Sequence, residues 1–266
     1  IMFFMKKFLF TLLILTIGVP VYAKNINFIH VTDVHLTQAN AHYLKEFTNE
    51  INNKYQDFDF VVFTGDNINR ADRNDLDSFL NIIKDINLKV FVTVGNHDLL
   101  LSRDMTADYY MQRTRKILGK YHPSSANYIF KKGNLVFIAM NGVKEVIPGP
   151  NGYYKESEII WLDRQLTKFK NKKVVILQHF PLLDTNSKSA GLYKKESYFN
   201  VLNKHNNVIA VVSGHYHNNR EEKINNVYHI VTEKFSDNTY YKIISINDED
   251  GFIYTTLVDK SSICAD

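Results

Sequence analysis

The chain has 266 residues, 45% of them hydrophobic and 23% charged, with 32 basic against 28 acidic side chains for a formal charge of +4. That balance suits a folded globule and lacks the basic field of a nucleic-acid binder; without Lys6 and Lys7 the excess is only +2 (30 basic minus 28 acidic). Cys264 is the sole cysteine, so no intramolecular disulfide supports the fold, and stability must come from packing and any bound metal.

In chain order, Lys6 and Lys7 precede the apolar run Phe8 to Val19, and a small residue, Ala23, closes the segment. This is the pattern of a secretory signal peptide cleaved after Ala23, with a conventional start at Met5. The run is too short to span a bilayer comfortably. Residues 24–266 are therefore expected as a soluble, single catalytic domain without a stable membrane anchor. Export to a periplasm or secretion is expected, from a chain whose Asn-, Lys- and Ile-rich composition resembles that of AT-rich bacterial genomes.

Three early runs, "INFIHVTD" from Ile26, "FVVFTGDN" from Phe60 and "KVFVTVGNHD" from Lys89, climb through β-branched and aromatic residues into polar groups. Helical spacing predicts helices over Leu44 to Lys54 and Asp75 to Ile86 between them, which makes strand-helix-strand units around a buried sheet. Ligands of such a sheet collect at the strands' C-terminal ends. Met105 to Leu118 predicts a further helix. Strands at Tyr128 to Lys132 and Leu135 to Asn141 turn at Gly133-Asn134, and Glu156 to Phe169 predicts an amphipathic helix packing the only tryptophan, Trp161. Strands follow at Val174 to Gln178, Val208 to Ser213, Val227 to Thr232, Tyr240 to Ile246 and Phe252 to Val258. No linker or repeat divides the chain, so one domain with two sheets is expected.

Chemistry concentrates where these strands end: Asp33-Val34-His35, Gly65-Asp66-Asn67, Gly95-Asn96-His97-Asp98, His179, and Gly214-His215-Tyr216-His217. Singly, Asp33 and Asp66 read as strand-ending turn residues, Asn96 as an Asx-turn former and His179 as a loop histidine. Together they place five of the ten histidines at strand exits beside Asp, Asn and Gly. Oxygen and imidazole donors without cysteine suit divalent cations of borderline hardness and argue against a structural zinc cage. If β extension persists past Ser213, His215 and His217 share a face. His30, His42, His122, His205 and His229 match no block and are read as structural.

This ordered set, D-x-H, G-D, G-N-H-D, H and G-H-x-H, resembles the calcineurin-like metallophosphoesterases, especially their single-domain branch resembling the cyclic-nucleotide phosphodiesterases. The resemblance runs from Asp33 to His217. It implies a four-layer α/β/β/α sandwich of two mixed sheets flanked by helices, with two divalent ions (Mn, Fe or Zn) at the sheet ends. It assigns Asp33, His35 and His217 to one ion, Asn96, His179 and His215 to the other, and Asp66 to both. Two cations roughly 3.5 to 4 Å apart can share a hydroxide that attacks phosphorus in line. His97 is expected to face the phosphate without ligating, and Asp98 to orient His97.

Departures narrow the subtype. Asn69 stands where the purple acid phosphatase branch carries a metal-bound tyrosine, and residues 218–266 are too short and strand-like for a capping or regulatory domain. The activity implied is hydrolysis of a small phosphomonoester or phosphodiester, nucleotides first, with no nucleic acid as partner and the oligomeric state left open. A non-catalytic metal- or phosphate-binding surface protein of the same fold and a nuclease are the alternatives. Leu99 to Asn127 and Pro181 to Asn207 are the segments expected to overhang the centre, with Arg103, Arg113, Tyr193 and Lys194 among their side chains.

Overall fold

The computed structural model describes residues 24–185, 190–236 and 239–259; the expected signal peptide, residues 1–23, lies outside them. The elements run β1 (Asn25–Val31), α1 (Ala41–Lys54), β2 (Phe60–Thr64), α2 (Arg73–Ile83), β3 (Lys89–Thr93), α3 (Ala107–Leu118), β4 (Tyr128–Lys132) and β5 (Leu135–Met140). They continue with β6 (Gly152–Tyr153), α4 (Glu156–Lys168), β7 (Lys173–Gln178), β8 (Leu192–Tyr193), α5 (Lys195–Lys204) and β9 (Val208–Ser213). The last are β10 (Arg220–Ile224), β11 (Val227–Val231), β12 (Tyr241–Asn247) and β13 (Ile253–Val258).

One sheet has the order β13-β12-β1-β2-β3 and the other β10-β11-β9-β7-β5-β4, while β6 and β8 form a small separate pair. β1, β2 and β3 are parallel, as are β5, β7, β9 and β11, so both sheets are mixed, with antiparallel pairing at the β12–β13 edge of the first and at both edges of the second. All five residues of β2 are buried because both of its faces are covered, which is why it reads as one continuous apolar run.

Alternation along β5 and β7 separates the layers. Phe137, Ala139, Val175 and Leu177 join the core between the sheets. Val136, Ile138, Val174 and Ile176 point the other way, onto Ile159, Leu162 and Leu166 of α4 and Tyr198 and Leu202 of α5. Leu44, Phe47, Leu76, Phe79 and Tyr110 bring α1, α2 and α3 onto the outer face of the first sheet. The expected four-layer sandwich is thus observed. An aromatic stack fastens its interior: Phe28 and Phe60 of the first sheet lie 4.7 Å apart, and Phe60 meets Phe137 of the second edge-on at 5.1 Å. A second tie is ionic. Lys242 of β12, fully buried, holds Glu221 of β10 at 2.5 Å across the sheets.

The four expected helices differ from the observed ones only at their ends. α2 begins at Arg73 because Asp72 caps it, accepting from the amides of Asn74 and Asp75, and it stops at Ile83, short of the expected Ile86. Thr106 similarly caps α3. Trp161 is partly buried and packs against the core beneath α4, as expected. β10 and α5 were not anticipated. β10 is a charged edge strand, "REEKI", in which no residue is fully buried, so it carries no apolar run to find.

Candidate metal centre

The parallel strands β1, β2, β3, β7 and β9 all deliver their C-terminal ends to one place, and the chemistry begins one or two residues after most of them. The backbone does not stay extended there. Asp33 (φ 53°), His35 (φ 45°), Asp66 (φ 50°), His215 (φ 68°) and His217 (φ 51°) all adopt the left-handed region. Such a conformation is uncommon outside glycine and needs surrounding structure to hold it. Here the loops after β1 and β2 are laced together: the amides of Asp33, His35 and Leu36 donate to the carbonyls of Gly65, Asp66 and Asn67 at 3.1, 2.9 and 3.1 Å.

This corrects the reading of His215 and His217 as same-face neighbours on an extended strand. β9 ends at Ser213, and two left-handed residues send the imidazoles to different groups. Glycine is required beside them for close approach. A methyl on Gly214 would collide with Thr32 Oγ1 and the Asp33 carboxylate, and one on Gly95 with the Asp66 carboxylate and amide.

Two separate donor groups result, Asp33 with His35 and His217, and Asp66 with His179 and His215, and a third, His35 with Asp66 and His97, overlaps both. In the first, His217 Nε2 is 3.1 Å from Asp33 Oδ1 and 3.2 Å from His35 Nε2. In the second, His179 Nε2 is 3.2 Å from both Asp66 Oδ2 and His215 Nδ1. Asp66 Oδ2 also lies 3.8 Å from His35 Nε2, so this carboxylate stands between the groups.

Hydrogen bonds outside the centre fix which ring nitrogens face in. His179 donates from Nδ1 to Thr64 O at 3.0 Å, and His215 from Nε2 to Pro150 O at 2.7 Å. His97 donates from Nδ1 to Asn69 O at 2.7 Å, while its amide donates to Asp66 Oδ1 at 2.8 Å. His97 is exposed, its ring edge-on to His35 at 4.7 Å, and its Nε2 makes no hydrogen bond among the described residues.

The expected orienting of His97 by Asp98 is not what the structure shows. Asp98 is fully buried and turned away. Its carboxylate accepts from the amides of Asn67, Ile68 and Gly95 at 2.9, 3.1 and 2.8 Å and from Asn67 Nδ2 at 3.3 Å. Asp98 therefore clamps the turn carrying Asp66 to the turn carrying Asn96. Asn67, whose side chain also reaches Thr93 O and Tyr110 Oη, belongs to this support. It stood in the G-D-N block with no role given, and Pro150 acts through a backbone carbonyl that no residue type announces.

The electrostatics are those of a donor cluster sharing protons. Burial alone pushes Asp66 up, yet the neighbouring charge and hydrogen bond of His179, with His35 and His97, hold it well below the carboxylate range. Burial likewise opposes charge on His179, but Asp66 and Asp33 raise it to about 9. Burial, then the charge on His179, lowers His215 to about 4. Burial and the charge on Asp66 push Asp98 up to about 8 against its amide donors.

Divalent cations fit this donor set. Because Thr64 O and Pro150 O take the outer N–H groups of His179 and His215, their inner nitrogens face each other as lone pairs at 3.2 Å, which a cation between them would relieve. Asn96 Oδ1 and His35 Nδ1 are buried with no hydrogen-bond partner among the described residues. The orphaned oxygen of Asn96 is the kind of atom a hard cation takes.

A cleft of about 340 Å³ opens beside His97 and Asn96, lined by Asn69, Arg70, Arg103 and the Pro148 to Pro150 loop. Two larger clefts, of about 1090 and 850 Å³, lie along Lys170 to Lys173 and between α1 and α2, and hold none of the donors. Arg113 is engaged elsewhere, paired through both nitrogens with Asp77 at 2.5 Å.

Similarity to known proteins agrees with this geometry. The chain is 22% identical over 217 residues to a 3',5'-cyclic-nucleotide phosphodiesterase of Nostoc sp., covering 77% of this chain and 76% of that protein. It is 27% identical over 177 residues to a protein of Arcobacter nitrofigilis named "probable glycerophosphodiester phosphodiesterase", of which it spans 59%. In fold it is similar to a dimetal phosphatase from Danio rerio, with a TM-score of 0.65 over 88% of this chain and 98% of that one at 15% identity. Residues 26–219 match the calcineurin-like phosphoesterases. With the sandwich, the two donor groups and that match together, the chain belongs to the calcineurin-like phosphoesterase family and is a metal-dependent phosphoester hydrolase.

Proposed function

We propose that the protein hydrolyses a small phosphodiester, a nucleotide first among candidates, at a centre holding two divalent ions. The observation that carries this reading is Asp66, whose carboxylate is shared by the His179–His215 and His35–His97 groups and so links the two sides of the centre. Asp33, His35 and His217 would hold one ion, and His179 and His215, with Asn96, the other. When bound, the ions would neutralise phosphoryl oxygens and lower the pKa of water.

The remaining work falls to the chain. His97, fixed by Asn69 O and exposed at Nε2, hands its proton to the leaving oxygen as water displaces it from phosphorus. Asn69 and the Pro148 to Pro150 loop border the space for the leaving group, which suits a compact ligand. Preference for a diester is supported by the two relatives named as diesterases. We also infer export, from Lys6, Lys7, the Phe8 to Val19 run and Ala23; a mature N-terminus at Lys24 in the exported fraction would support it, and an intact N-terminus there would overturn it.

The test is hydrolysis of a chromogenic phosphodiester and the matching monoester with manganese, with chelator, and with Asp66→Ala. Turnover that needs metal, favours the diester and is lost in a folded Asp66→Ala variant is expected. Full activity in that variant would sink the mechanism, and faster monoester turnover would sink the diester preference.

A further inference from the structure

Nine large apolar side chains are exposed among those described, and four of them, Leu101, Val146, Ile147 and Tyr193, gather on the rim of the metal centre. The Leu101 amide donates to Glu145 O at 2.9 Å, which sets Leu101 beside Val146. Lys144 Nζ sits 4.8 Å over the Tyr193 ring. Three residues beyond Ile147, Pro150 O receives the His215 ring.

Val146 and Ile147 are consecutive, 70% and 77% exposed, in a segment that is neither strand nor helix. That segment is tied down on both sides, by Glu145, whose carboxylate also accepts from the Ala107 amide, and by Pro150. The backbone therefore holds two aliphatic side chains out in water rather than letting them fold inward. Adjacent exposed aliphatics at a binding rim mark an interaction surface.

The surrounding charge is cationic. Arg70 and Arg103 line the cleft that the Pro148 to Pro150 stretch borders, and Lys144, over the Tyr193 ring, lies two residues before the apolar pair. Of the nearby acids, Asp104 is paired with Arg73 at 3.6 Å, and Glu145, whose carboxylate accepts from the Ala107 amide, stands as one anion among the cations Arg70, Arg103 and Lys144. Two aliphatic side chains on an exposed connecting segment, bordered by cations and by a tyrosine with one apolar face, match the boundary between acyl chains and anionic headgroups.

We propose that this rim docks the protein on an anionic lipid surface, with Val146 and Ile147 entering the acyl boundary and Lys144 and Arg103 meeting headgroup phosphates. Docking of this kind is peripheral and holds whichever phosphoester the centre cleaves. It would turn the cleft beside His97 towards the surface.

A polarity-sensitive fluorophore on Ile147→Cys, in the full chain carrying Cys264→Ser, tests this directly. The same label on Tyr254→Cys is the control, because Tyr254 pairs with Ser245, itself paired with Asn27 at the far end of β1. Vesicles of phosphatidylglycerol with phosphatidylcholine should give a blue shift and a several-fold rise in emission at position 147. The response should shrink with phosphatidylcholine alone or in high salt, be absent at position 254, and fall several-fold when Val146→Asp is added. No response at 147, an equal response at 254, or indifference to Val146→Asp would overturn the proposal. So would a shift that appears without vesicles as protein concentration rises, which would give the rim to a second copy of the chain. Turnover of a soluble ester by the same preparations reports on the catalytic reading separately.

Discussion

His97 and Asp98 are neighbours in sequence and opposites in role. His97 is exposed, hydrogen-bonded among the described residues at Nδ1 and through its amide, and it belongs to neither the Asp33–His35–His217 group nor the Asp66–His179–His215 group. His97→Ala is expected to lower kcat by about 100- to 10,000-fold, the range of a lost general acid, with metal content by elemental analysis unchanged. Asp98 touches no substrate position. Asp98→Asn puts an amide N–H against N–H donors, at a cost on the order of 1–3 kcal/mol, and loosens the clamp between the turns. Denaturant unfolding should show that loss together with weaker metal affinity by titration calorimetry; an unchanged affinity would remove Asp98 from the support of the centre. Six of the seven expected ligand residues, all but Asn96, gather in the donor groups, and residue type with strand-exit position points to them. The direction of the Asp98 side chain was not, since adjacency in sequence says nothing about which way a carboxylate turns in a tight loop.

At the scale of elements, strand and helix identity was readable wherever periodicity and β-branching were strong, as in β1, β2, β3, β7 and β9. β10 escaped because an edge strand of alternating charge has no apolar face to announce it, and α5, "KESYFNVLNK", buries only Tyr198 and Leu202. What the strands could not disclose was the bend after them. The centre depends on β9 stopping at Ser213 so that Gly214 can pass against Thr32 and Asp33. Gly214→Ala must push the β1 exit away from β9. The expected outcome is a folded protein, by circular dichroism, with at least tenfold weaker metal binding, and normal binding would show that the two exits can part without consequence.

Across the whole molecule, two sheets joined by aromatic rings and by the Lys242–Glu221 pair hold several histidines as neutral groups in the core. His122 donates from Nε2 to Val90 O at 2.9 Å, while its Nδ1 is buried without a partner. Burial lowers it to about 4 from 6.5, and His229 likewise to about 4. The unfolded chain therefore binds more protons than the folded one between those values. The contribution of these histidines to stability is full above pH 6.5 and falls as pH drops towards 4, by on the order of 3 kcal/mol for His122 alone. His122→Gln, which keeps a donor for Val90 and cannot titrate, should flatten that acid limb in urea unfolding; an unchanged slope would locate the loss elsewhere.

The left-handed backbone at five donor residues has a consequence for how this chain would respond to selection. Each such residue forgoes about 1–2 kcal/mol that glycine would not. Selected for heat resistance alone, the scaffold would drift towards glycine at His35, His215 and His217 and grow sturdier as it lost its chemistry. The thermal ceiling of this protein is thus set in part by the residues that make it an enzyme, and a natural variant of unusual robustness would be a place to look for a hydrolase that has ceased to be one.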